Sequence, residues 1–184
     1  LRKRIYEAVG DHIFGENSAT LESAVGECLR KLSLKLAVAE SCTGGLLGQR
    51  MTNVAGSSNY FVGGVIAYSN ALKHRLLGVS KKTLAGYGAV SAPCAREMAQ
   101  GARRVCRSDI AISVTGIAGP GGGSGKKPVG LVYMAIADSA GSHATRFYFS
   151  GNRDTIRARA AATALSWLWR RLCRSNSINN KEIL

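Results

Sequence analysis

The stretch that most constrains this chain is a junction. The apolar run LKLAVA at 34–39 stops at Glu40-Ser41, passes through the small residues of CTGG, and gives way to a helical pattern at Leu46, Leu47, Met51 and Val54. A short buried strand feeding a helix through a tight turn is half of a βαβ unit, and such units favour a parallel sheet covered by helices on both faces. The rest of the chain repeats the theme. Leu21, Val25, Cys28, Leu29 and Leu32 fall on one helical face, capped by Ser18 or Thr20. YFVGGVIAYS at 60–69 reads as a strand by its Val, Ile and Tyr content, with Gly63-Gly64 marking a bulge or a close backbone neighbour. Ser69 or Asn70 then caps a short helix that Gly78 stops.

Ser91 opens a further helix, with Pro93 in its first turn and Ala95, Met98, Ala99, Ala102, Val105 and Cys106 on one face. DIAISVTG at 109–116 is another buried strand, and 128–138 with 143–151 form a hairpin about Ala140-Gly141. Asn152 opens the last helix, with Ile156, Ala160, Thr163, Ala164 and Trp167 facing inward. This order predicts a three-layer α/β/α sandwich on a mixed, mostly parallel sheet with one antiparallel strand. Residues 1–18 read as a leader or interdomain connector, 19–174 as the domain, and 175–184 as a polar, frayed tail.

Ligands of such sheets sit beyond the carboxyl ends of the strands. Three loops qualify: 41–45, 68–73 and 115–125. Ser41 stands where strand becomes helix, so its hydroxyl can act as a nucleophile beside main-chain oxyanion donors, or simply cap the helix. Cys42 is a rival nucleophile, but with no histidine beside it in sequence it reads as a packed thiol. His12, His74 and His143 are poorly placed as bases. Lys73, near a helix start and partly buried, would have a lowered pKa and could take the serine proton; otherwise it is a solvated lysine. Tyr68 could relay a proton or hold the amine, or be an edge tyrosine.

TGIAGPGGGSG at 115–125 offers free N–H groups beside Thr115, Ser124, Lys126 and Lys127, which suits an anion cradle, although its GGGSG half also suits a flexible connector. It fails the Walker A and GxGxxG templates. Arg153 and Arg157, one turn apart, could clamp a phosphate or form a solvated basic face.

Composition narrows the classes. The chain has 184 residues, 46% hydrophobic and 20% charged, enough for one sizeable core. Five scattered cysteines without a CxxC pair argue against a disulfide framework or zinc site and fit a reducing cytoplasm. No metal motif occurs, so neither metal nor cofactor is expected. No apolar run is long enough to span a membrane. Twenty-five Lys and Arg against 11 Asp and Glu leave a net charge of +14, but dispersed, which fits a generally basic surface better than a nucleic-acid site.

AESCTGG at 39–45, GGVIAYSNALKHRLLGV at 63–79, GAVSAP at 88–93 and SVTGIAGPGGGSGKKPVG at 113–130 together resemble the C-terminal domain of the competence/damage-inducible CinA family across residues 19–172. That domain, standing alone, is nicotinamide mononucleotide deamidase. The resemblance implies a five-stranded mixed sheet, homodimers, and metal-free hydrolysis of the carboxamide of a small nucleotide, giving nicotinate mononucleotide and ammonia. It also implies roles: Ser41 as nucleophile, Lys73 as general base and Tyr68 as their paired tyrosine. Thr43, Gly44 and Gly45 become the helix start and oxyanion donors. Thr115, Gly116 and Gly119 belong to the substrate loop, and Arg153 is the arginine after the last strand. Gly121 departs from the family, which often has an acidic residue there. RIYEAVGDHIFGEN at 4–17 resembles the connector to the N-terminal domain of long CinA proteins, a possible partner in the parent chain. The alternative is a non-catalytic regulatory or nucleic-acid-associated domain of a competence or DNA-damage protein.

Overall fold

Five strands and seven helices alternate along the chain in the computed structural model, which describes residues 2–10 and 13–179. Helix α1 covers Arg2–Val9 and α2 covers Leu21–Lys31; strand β1 (Leu36–Glu40) leads to α3 (Leu46–Thr52), and β2 (Phe61–Ile66) to α4 (Asn70–Leu77). Then come α5 (Lys81–Gly86), α6 (Ala92–Cys106), β3 (Ile110–Gly116), β4 (Leu131–Asp138), β5 (Gly141–Tyr148) and α7 (Arg153–Asn179).

The sheet order is β2-β1-β3-β4-β5. β1 pairs in parallel with β2 and β3, whereas β4 runs antiparallel to both β3 and β5. The carboxyl ends of β1, β2, β3 and β5 therefore share one edge, as a mostly parallel α/β sandwich requires. One face carries α2, α3 and α7, packed on Leu36, Val38, Ile112, Val114, Val132 and Met134. The other carries α4 and α6, packed on Ala37, Ala39, Ala111, Ala135 and Ala137. Small strand residues on that face let α6 lie close. Each fully buried aliphatic chain contributes about 1.5–3 kcal/mol.

Caps fix the helix starts. Thr20, not Ser18, caps α2 in a reciprocal arrangement with Ser23; Ser69 caps α4 and Ser91 caps α6. Such caps contribute about 1 kcal/mol each. Gly64 does meet a close neighbour, since a Cβ there would lie 2.7 Å from the Val38 carbonyl oxygen, and the β1–β2 register slips between Leu36 and Ala37.

Several boundaries differ from the sequence reading. The hairpin turns at Ser139-Ala140, one position early, because Asp138 accepts the Ala140 N–H and pairs with Gly141. Val105 is exposed, since α6 rotates that position off the sheet near its end. Helix α5 has too few residues to reveal a period; its cap, Ser80, was its one signal. The expected leader contains helix α1, and α7 runs to Asn179, five residues into the expected tail; residues 180–184 lie outside the described residues. No described helix is long and apolar enough to cross a membrane.

Candidate active site

Strand alternation sets up the site. Adjacent strand residues face opposite sides of a sheet, so at the end of β1 Glu40 turns toward α3 and Ser41 toward α4. Glu40 is fully buried, and its carboxylate accepts N–H groups from Gly45 (3.0 Å), Leu47 (3.1 Å) and Gly48 (2.8 Å). On the other face, Lys73 Nζ lies 2.9 Å from Ser41 Oγ. The same nitrogen donates to the carbonyls of Ala67 (2.8 Å) and Tyr68 (3.0 Å). Those carbonyls are held in place because the Ala67 N–H bonds Glu40 O at 2.8 Å, extending β2 alongside β1.

Lys73 is 1% exposed, and no carboxylate pairs with it among the described residues. Burial therefore lowers its pKa below the usual lysine value. With two N–H bonds committed to carbonyls, the remaining tetrahedral position of the nitrogen faces Ser41 Oγ. In the amine form that position is the lone pair. Cys42 lies beside the serine, but burial pushes its thiol up to about 11, which leaves little thiolate at neutral pH.

The cleft at this edge encloses about 260 Å³. Ser41, Tyr68, Lys73, Thr115, Gly116, Gly119 and Arg153 all line it. Arg153 comes from the start of α7, and its guanidinium donates to Gly119 O (2.7 Å) and to the Tyr68 hydroxyl (3.1 Å). The Tyr68 ring thus points to the arginine at the mouth, and it is the Tyr68 main chain that touches the lysine amine. Thr115 donates its hydroxyl to Ala89 O at 2.9 Å, pinning β3 to the segment before α6.

Three assignments change. Thr43, Gly44 and Gly45 do not line the cleft. The Gly45 N–H is taken by Glu40 and the Gly44 N–H by Ser41 O (3.1 Å), so neither is an oxyanion donor. The N–H groups of Cys42 and Thr43 make no main-chain hydrogen bond among the described residues, and of the two only Cys42 lines the cleft, so its N–H is the donor left next to the serine. Arg157 is no clamp; it lies outside the cleft lining, its Nη2 donating to Thr43 O at 2.9 Å and fastening the serine turn to α7. Lys127 reaches Tyr87 O (2.6 Å), and Ser124 closes a turn with Lys127, so the cradle is reduced to the main chain of 116–122. Sequence reasoning missed Glu40, Asn70, Ala89 and Val90. Glu40 carried a signal: a lone acid at a buried strand end needs a partner.

The model of the CinA C-terminal domain matches residues 18–172. The chain belongs to the CinA C-terminal domain family. Among curated relatives, the CinA-like protein of Geobacter sulfurreducens is 55% identical over 168 residues, 91% of this chain and 41% of that protein. A putative competence-damage inducible protein of Moorella thermoacetica is 51% identical with the same coverage of both chains. This CinA domain thus spans about two fifths of the length of those relatives. Solved structures match more fully. A CinA superfamily protein from Klebsiella pneumoniae superposes with a TM-score of 0.82 at 33% identity, covering 86% of this chain and 99% of that one. The competence/damage inducible protein CihA of Agrobacterium tumefaciens gives 0.76 at 42% identity, covering 80% and 91%.

Proposed function

We propose that this CinA domain is an amidohydrolase that converts nicotinamide mononucleotide to nicotinate mononucleotide and ammonia, with Ser41 as nucleophile and Lys73 as general base. The observation that carries this reading is the 2.9 Å contact between Ser41 Oγ and the amine of a buried lysine with no carboxylate partner among the described residues, at the floor of an open cleft. A serine needs a base to become nucleophilic, and a desolvated amine at hydrogen-bond distance meets that need. Family membership supports the substrate class.

The chemistry is as follows. Lys73 Nζ takes the proton of Ser41 Oγ as that oxygen bonds to the carboxamide carbon. Negative charge moves to the carbonyl oxygen, where the Cys42 N–H is the available donor. The Lys73 ammonium returns its proton to the departing nitrogen, the C–N bond breaks, and ammonia leaves an acyl ester on Ser41. Water then gives a proton to Lys73 and attacks the ester. The Ser41–acyl bond breaks, Lys73 returns the proton to Ser41, and the product leaves as a carboxylic acid that gives its proton to water and becomes the carboxylate. Arg153 and the main chain of 116–122 at the mouth suit the substrate phosphate.

Ammonia release from nicotinamide mononucleotide, with nicotinamide and its riboside as controls, tests the proposal. Ser41→Ala and Lys73→Ala should each lose at least about 10³-fold in turnover, as members of a catalytic unit do. Cys42→Ala should retain most of it. Loss with Cys42→Ala and survival with Ser41→Ala would reverse the nucleophile assignment, and inertness toward all three compounds would end the enzymatic reading.

A further inference from the structure

The start of α3 is built unlike the other helix starts. Helices α2, α4, α5 and α6 are capped by the hydroxyls of Thr20, Ser69, Ser80 and Ser91. At α3 the cap position is Gly45, with φ +97, and Gly44 before it has φ +61. Glycine tolerates these left-handed values and offers no side chain to cap with. The cap comes instead from Glu40, five residues back on β1, whose two oxygens accept three N–H groups. No Lys or Arg pairs with this carboxylate among the described residues, so the N–H groups and the helix dipole balance its charge. Burying a carboxylate costs far more than a hydroxyl cap.

What Glu40 encloses is the serine turn. Its side chain runs from the residue before Ser41 to the residue that ends the turn. Within that span the Ser41 N–H is fixed to Val114 O (3.0 Å) and the Gly44 N–H to Ser41 O. Arg157 holds the Thr43 carbonyl from outside. With the α3 donors turned onto Glu40, the Cys42 N–H remains beside Ser41 on the cleft side.

We propose that Glu40 is a positioning residue for the Ser41 nucleophile: its carboxylate draws the α3 start inward and so sets both the Ser41–Lys73 geometry and which main-chain N–H groups face the reacting carbonyl. This rests on the reading of Ser41 as nucleophile. The role is distinct from helix stability, because a misplacement of about 1 Å costs on the order of 10²-fold in rate while leaving the fold intact.

Glu40→Gln tests it. The amide keeps the size but aims an NH₂ at main-chain N–H donors. Two rates are measured on the folded protein: turnover of nicotinamide mononucleotide, and phosphonylation of Ser41 by a fluorophosphonate, followed by mass with Ser41→Ala as blank. Both kcat and the phosphonylation rate should fall together by about 10- to 100-fold, with KM changed less than about threefold and the Lys73 limb of the pH profile unmoved. If Glu40→Gln does not fold, Glu40→Asp, which keeps the charge but shortens the reach, should show the same paired loss. A variant with a lowered Tm but both rates within twofold of wild type would reduce Glu40 to a helix cap and overturn the proposal. Wild type that is phosphonylated at Ser41 but inert to the nucleotide would sink only the substrate reading, since the phosphonylation comparison still decides Glu40. Wild type that does neither would remove the nucleophile and this inference with it.

Discussion

A lysine buried without a countercharge among the described residues, as Lys73 is, makes protonation the controlling variable of the proposed site. Its lowered pKa comes from desolvation, so the amine form is populated at a pH below the usual lysine value of about 10.4. Turnover is expected to rise with pH along a limb below that value. Lys73→Arg, which stays charged, should be inactive at every pH. A limb at the ordinary lysine value would mean that the amine is not desolvated in solution. Stability should follow the same group. Between its lowered folded value and about 10.4 the unfolded chain binds more protons than the folded one, so stability gains with rising pH in that window. Denaturant titrations of wild type against Lys73→Met should therefore diverge in favour of wild type as pH climbs, whatever the absolute stability of the variant. Ser41 and Lys73 stand out in the sequence as single residues because chemistry restricts what could serve as nucleophile and base, and the structure brings the two together. The direction of the Tyr68 ring was not legible, since it depends on Arg153, 85 residues away, and no local pattern encodes that contact.

At the scale of elements, the position of Lys73 depends on how closely α4 approaches α6. Gly101 on α6 makes that approach possible: a Cβ there would lie 2.0 Å from the Leu77 carbonyl oxygen, at the end of α4. Backbone cannot yield as a flexible side chain would. Gly101→Ala should cost about 3 kcal/mol or more and reduce turnover by shifting the amine from Ser41, as read by denaturant melts and ammonia release on one preparation. Gly86→Ala, in the open at the end of α5, is the matched control; it should be neutral or stabilise by up to about 1 kcal/mol. Strands and long helices were readable from periodicity. Close approaches were only partly so: Gly63-Gly64 stood out in an apolar strand, whereas Gly101 sat unnoticed in a helix whose face was already satisfied by alanines. Helix α5 escaped because six residues give less than two turns of pattern.

Across the whole molecule, the larger core joins α2, α3 and α7 to the three central strands β1, β3 and β4 through buried side chains, with the half-buried Phe61 of β2 and Phe147 of β5 packed against it. Both tryptophans, Trp167 and Trp169, sit on α7 and pack on this core. Thermal melts followed by tryptophan fluorescence and by helical circular dichroism should therefore coincide. Two separated transitions would mean that α7 leaves first, taking Arg153 and Arg157 with it. The sandwich and the three loops at the carboxyl edge of its strands were legible because strand-helix alternation places them by topology. The ties between loops were not, since Arg153 to Gly119 and Arg157 to Thr43 link segments far apart in the chain.

The Glu40-Ser41 pair makes the site a question of parity. One peptide unit divides the Glu40 anchor on one side of the sheet from Ser41, the proposed nucleophile, on the other. A strand shortened by one residue exchanges its two faces. Deleting Ala39 would present the carboxylate to Lys73 and the hydroxyl to α3, replacing a serine and its base with a mutually neutralised ion pair. Even-numbered changes in β1 preserve the chemistry's frame and odd-numbered ones erase it, so the length of this strand is as much a part of the site as the residues at its end.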